Sequence, residues 1–90
     1  MKTVLPLLSE YFGTLLLTLS ILTISNPLVI GLIFSAILYL TAGVSGGSMN
    51  PAISVVMFMK SKLGSQELLK YIFVEVVAAI SAFYIFKLIK

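Results

Sequence analysis

The chain has 90 residues, 60% hydrophobic and only 10% charged, and six lysines against three glutamates give a net charge of +3. A soluble domain carries about 25% charged residues, so this composition belongs to a membrane protein. Cysteine, histidine, tryptophan and arginine are all absent, which removes thiol nucleophiles, imidazole bases and the usual metal clusters, so no enzyme activity, metal or cofactor is expected.

Without cysteine the redox compartment stays open. The lysines sit at the ends of apolar runs, a placement that suits anchoring in lipid headgroups better than binding nucleic acid. Lys2 followed by an apolar run has the look of a signal peptide. That run is about 20 residues long and carries Glu10 and Gly13, beyond the usual apolar region of about 7–15 residues, and reads as a retained span.

The first span covers about 4–24, enough at about 1.5 Å per residue to cross a hydrocarbon core of about 30 Å. Ser25-Asn26-Pro27 ends it, with Asn26 as helix cap and Pro27 at the first helical position of a second span over about 28–42. Gly43 to Met49 then breaks the pattern. A third apolar run, about 50–59, is only half a membrane long, and it stops at the polar stretch Lys60-Ser61-Lys62-Leu63-Gly64-Ser65. The last span covers about 66–89. The expected fold is therefore all-α and membrane-embedded, with three transmembrane helices plus one re-entrant half-helix, integral and multi-pass. Three crossings put the termini on opposite faces, with Lys2, Lys60, Lys62 and Lys70 on one side and Lys87 and Lys90 on the other. The lysine bias places the N-terminus in the cytoplasm by four to two.

The segment Ser45-Gly46-Gly47-Ser48-Met49-Asn50-Pro51-Ala52 is the most informative. Irregular backbone at membrane depth persists only where it is buried in protein or lines a water-filled path. Two glycines let the chain reverse, Asn50 caps the half-helix and Pro51 starts it. Asn-Pro alone carries little meaning, since Asn26-Pro27 starts an ordinary helix in the same chain. In this setting the half-helix amino end falls near the bilayer midplane with about half a positive charge, repelling cations from a narrow pore. The Asn50 amide would offer a hydrogen bond to a neutral solute, and the carbonyls of Gly46, Gly47, Ser48 and Met49 would line the approach.

Gly46-Gly47-Ser48-Met49-Asn50-Pro51-Ala52 resembles the first pore loop of the aquaporin and aquaglyceroporin family, the major intrinsic proteins. Glu10-Tyr11-Phe12-Gly13-Thr14 is similar to that family's first-helix motif, Gly31 falls nineteen positions before Asn50 where the second helix carries glycine, and Tyr71-Ile72-Phe73-Val74-Glu75 resembles the start of the third. The resemblance implies a channel of two such halves inserted in opposite directions, their half-helices meeting at the centre, with residues 1–90 forming one half repeat. Departures matter too. The family's second copy has an arginine after its Asn-Pro-Ala, whereas Ile53 follows Ala52 here. The filter position of the second helix falls on Ile30, and Ser48 stands where histidine is common.

Glu10 lies inside the first span, where a carboxylate is costly without partners. The resemblance implies that it braces the pore loop; a snorkelling position or a proton-carrying role are the alternatives. Glu75 lies beside Ala78, Ala79 and Ala82 and is expected to brace the loop likewise, while Gly31 and Ser35 read as a close-packing helix face. The tyrosines Tyr11, Tyr39, Tyr71 and Tyr84 read as core or lipid contacts.

One half leaves polar backbone facing lipid, so a partner must complete it. An antiparallel homodimer, alone or within a higher oligomer, would rebuild an inverted repeat. The expected function is a passive channel for water or small neutral solutes such as glycerol, with Asn50, Pro51, Ala52, the loop Gly46–Met49, Ile30 and Ile53 at the pore. A non-conducting subunit that needs a complementary chain is the alternative, and a proton-coupled exporter working through Glu10 or Glu75 ranks behind both.

Overall fold

The computed structural model describes residues 4–90, so Lys2 lies outside the described residues. Four helices follow one another: α1 (Val4–Thr23), α2 (Pro27–Ser45), α3 (Pro51–Met59) and α4 (Ser65–Ile89). Three of them, α1, α2 and α4, are long and apolar enough to cross a membrane. The molecule measures 38 Å along its longest axis, a little more than a hydrocarbon core of about 30 Å. The nine residues of α3 reach about 14 Å, less than half that depth.

Local chemistry sets the helix starts. Asn26 Oδ1 accepts from the Leu28 N–H at 2.9 Å, and Pro27 needs no donor at the first helical position. Gly64 precedes α4, and Glu67 Oε1 accepts the Gly64 N–H at 2.9 Å. The expected break at Gly43 is corrected: Gly43 lies inside α2, with open space where a Cβ would be. The helix stops three residues past the expected end at Ala42, where Gly46 takes φ +89° and its N–H reaches back to the Ala42 carbonyl at 3.1 Å.

Helix α1 is the hub, packing against both α2 and α4, while α3 packs against α4 alone. Between lipid-soluble helices apolar burial supplies no drive, so close backbone approach and interhelical hydrogen bonds must hold the bundle. The buried stripe of α4 fits that need: Tyr71, Glu75, Ala78 and Ala82 recur at helical spacing, and both alanines are wholly buried. It lies on the helix that packs against α1, which itself buries Glu10, Gly13, Thr14 and Ser20. Higher up, the Tyr11 hydroxyl donates to Ser81 Oγ at 2.9 Å, tying the same two helices.

Large apolar side chains point outward instead. Leu28, Leu32, Leu40 and Leu88 are each more than 70% exposed, an arrangement suited to lipid or to a partner rather than water. The expected packing face at Gly31 and Ser35 is also corrected. Both residues are exposed, a Cβ at Gly31 would meet nothing within 4 Å, and the Ser35 hydroxyl bonds back to the Gly31 carbonyl. Among the described residues α2 and α3 do not pack against each other.

Candidate functional site

The reversal between α2 and α3 takes five residues, Gly46 to Asn50, and three of them adopt positive φ: Gly46 at +89°, Gly47 at +70° and Met49 at +58°. Gly47 requires glycine twice over, since a Cβ there would also sit 3.0 Å from Leu38 Cδ2. Met49 is a non-glycine in the left-handed region, a conformation that costs about 1–3 kcal/mol and persists only when the surroundings impose it.

Those surroundings begin on α1. Glu10 is fully buried, and its two oxygens take three hydrogen bonds: Oε1 from the Met49 N–H at 2.9 Å, and Oε2 from the Ser48 N–H at 3.2 Å and the Ser45 hydroxyl at 2.5 Å. One turn on, Gly13 makes the space that Met49 fills. A Cβ at Gly13 would overlap the Met49 sulfur and lie 3.2 Å from Ile37 Cγ2. Met49 is accordingly 2% exposed. Thus Glu10 and Gly13, three residues apart on one helix face, hold the backbone and the side chain of the same loop residue.

Helix α4 supplies the second support. The Tyr71 hydroxyl, buried, donates to the Ser45 carbonyl at 2.8 Å, just where α2 ends. One turn further, Glu75 Oε2 accepts from Ser54 Oγ of α3 at 2.8 Å, with both residues buried. Glu10 therefore holds the loop itself, whereas the hydrogen bond of Glu75 goes to the half-helix. Three buried side-chain atoms have no partner among the described residues: Thr14 Oγ1, Ser48 Oγ and Glu75 Oε1.

Asn50 is extended, at φ −159°, and exposed. Its Oδ1 accepts the Ala52 N–H at 2.7 Å, and its NH₂ makes no hydrogen bond among the described residues. Its carbonyl accepts the first bond of α3, from Ser54 N–H at 2.9 Å, after Pro51 at the first helical position. The carbonyls of Gly46, Gly47, Ser48 and Met49 accept no hydrogen bond among the described residues. Ala52 is exposed, and Ile30 and Ile53 are partly exposed on helices that do not touch each other. No cluster of three or more metal-binding side chains occurs among the described residues.

Two contributors, Tyr71 and Ser45, carry no local signal of their role. Tyr71 is one of four tyrosines scattered over the spans, and its partner lies 26 residues earlier. The spacing of Tyr71 and Glu75 by four residues is the one feature that links them in sequence, because it puts both on one helix face.

A family model described as Major intrinsic protein matches residues 13–90. Comparison with curated proteins and with solved structures returned no match.

Proposed function

Because the chain belongs to the major intrinsic protein family, and so is an integral, multi-pass membrane protein of channel type, we propose that it forms a passive conduit for water or small neutral solutes such as glycerol. Two copies inserted in opposite directions close the conduit, each supplying one half-helix. The observation that carries this is the exposed Asn50 amide at the amino end of a nine-residue helix, held by hydrogen bonds from two neighbouring helices.

The physical roles follow. The amino end of α3 bears about half a positive charge, and two such ends facing each other across a narrow path repel cations and hydrated protons. The amide NH₂ of each Asn50 donates to a passing oxygen. The free carbonyls of Gly46, Gly47, Ser48 and Met49 accept from the same molecule on its way in. Ile30 and Ile53 form an apolar ring, which without arginine favours a less polar solute over an anion. The open flank of α2 around Gly31 and Ser35, where a backbone can approach closely, supports a second chain seated there.

Proteoliposomes that contain only this polypeptide test the reading. Osmotic shrinkage faster than in empty vesicles, lost on Asn50→Ala with insertion unchanged, is the expected result. Baseline permeability in vesicles with well-inserted protein would favour the non-conducting subunit, and a single orientation of the termini in cells would exclude pairing of inverted copies.

A further inference from the structure

Glu10 and Glu75 are 0% and 1% exposed, so two carboxyl groups share the interior of one small bundle. The five lysines among the described residues are all exposed, and none of them bonds to either carboxyl. Two negative charges buried together without a cation would cost several kcal/mol each. Hydrogen-bond donors are divided unequally between the pair. Both oxygens of Glu10 already accept, from the Met49 and Ser48 amides and the Ser45 hydroxyl. Glu75 receives one donor, the Ser54 hydroxyl on Oε2, and its Oε1 is buried with no partner among the described residues. The carboxyl of Glu10 lies within hydrogen-bonding reach of Glu75. Two acceptors cannot bond each other, and a single proton between them removes the conflict.

We propose that Glu75 is a neutral carboxylic acid whose Oε1–H donates to Glu10, and that this proton latches the half-helix to the loop. A carboxylate offers about four acceptor sites; Glu10 has filled three of them, and the acid fills the fourth. Oε2 of Glu75 remains the carbonyl oxygen that Ser54 needs. The hydrogen-bonded chain then runs from the Ser48 and Met49 amides through Glu10 and Glu75 to Ser54. Among the described residues α3 does not pack against α1, so the shared proton is what carries the hold of α1 across to the half-helix. Losing it removes the donor and sets a second negative charge beside Glu10. The groups that bear on Glu75 are Glu10 from α1, the neutral Ser54 from α3, and Tyr71 one turn back on α4, whose hydroxyl is committed to the Ser45 carbonyl. None supplies a positive charge to hold the ionised form, so the latch opens as the pH rises.

The test is infrared spectroscopy of the protein in bilayers, with hydrogen exchange read on the same samples. At neutral pH the spectrum should contain the C=O stretch of one protonated carboxyl per chain, shifted in heavy water. Glu75→Gln should abolish that band, Glu67→Gln should leave it, and Glu10→Gln should move its frequency by changing what the acid bonds to. On raising the pH the band should disappear. Protection of the Ser48 and Met49 amides, referred to the intrinsic exchange rate at each pH, should fall about tenfold with it, the scale of one hydrogen bond to a charged group. In Glu75→Gln, whose amide NH₂ stands in for the acid O–H, protection should not vary with pH. No band at neutral pH, a band that survives in a fully helical Glu75→Gln protein, or loop protection in the parent that ignores the titration of the band would overturn the latch. A band lost in Glu10→Gln and kept in Glu75→Gln would overturn it too, by placing the proton on Glu10. Neither readout needs conduction, so failure of the conduit reading would leave this test intact.

Discussion

Replacing Glu10 with alanine removes the acceptor for three donors at once: the Ser48 and Met49 amides and the Ser45 hydroxyl. Leaving a buried donor unsatisfied costs about 1–3 kcal/mol, and the loop can recover part of that by moving toward water. Even if only two amides remain unpaired at the lower bound, the ordered loop loses about 2 kcal/mol, and about 6 kcal/mol at the upper. At about 1.4 kcal/mol per factor of ten, the ratio of ordered to disordered loop falls at least about 25-fold. The left-handed Met49 makes matters worse, since its strain persists only while its amide and side chain are held. The assay is stopped-flow osmotic flux in proteoliposomes, normalised to inserted protein, with hydrogen exchange of the loop amides read in parallel. Glu10→Ala should reduce protection of the Ser48 and Met49 amides at least about tenfold and lower unit flux while helix content stays constant. Glu10→Gln, which keeps one acceptor and turns an NH₂ toward a donor, should fall between it and the unmodified protein. Undiminished flux in Glu10→Ala, with both amides still protected, would refute the assignment of Glu10 as the support of the loop.

Other substitutions probe the same construction from different sides. Tyr71→Phe leaves the Ser45 carbonyl unpaired and should cost about 1–3 kcal/mol in thermal stability, with exchange increasing at residues 46–49 rather than in α4. Gly47→Ala combines a positive φ with a close approach to Leu38 and should destabilise by about 1–2 kcal/mol, read as a lowered melting temperature in detergent. Gly13→Ala pushes on the flexible end of Met49 and should cost about 1 kcal/mol, a loss that Met49→Ala in the same chain should partly reverse, giving non-additive melting shifts. Glu75→Gln keeps an acceptor for the Ser54 hydroxyl and should leave flux within about twofold of the parent. Flux abolished by that change and driven by a pH gradient would instead revive the proton-coupled reading.

What could be read in the sequence was what short-range chemistry decides. Asn26-Pro27 and Asn50-Pro51 declare helix starts because cap and first residue are neighbours. The three spans declare themselves by length and hydropathy. The end of α2 was misplaced because glycine can either interrupt a helix or sit inside one. Gly43 has open space around it and stays helical, whereas Gly46 turns left-handed. Contacts across the fold left fainter traces. Glu10 stands out as a carboxyl among leucines, so its need for partners was evident, and family resemblance suggested which. Tyr71 raised no such alarm, since a tyrosine is at home in a membrane protein whether or not its hydroxyl is bonded. Gly31 and Ser35 were read as a packed face because small residues invite packing. Within this chain both are exposed, with nothing near Gly31, because a rule about residue size does not say whether a neighbour is there.

The supports of the loop fix an order of events during synthesis. Glu10 and Gly13 have left the ribosome before the loop exists, so the first clasp is waiting when Ser48 and Met49 appear. Tyr71 and Glu75 come some twenty residues later, and at about 5–20 residues per second the interval lasts a few seconds at most. Through that interval the end of α2 and the whole of α3 lack their second hold, and the short coil has no reason to stay at depth. Translation of the final span is therefore the step that completes the hairpin, and a nascent chain arrested before Tyr71 should leave it accessible to labelling reagents from the aqueous side.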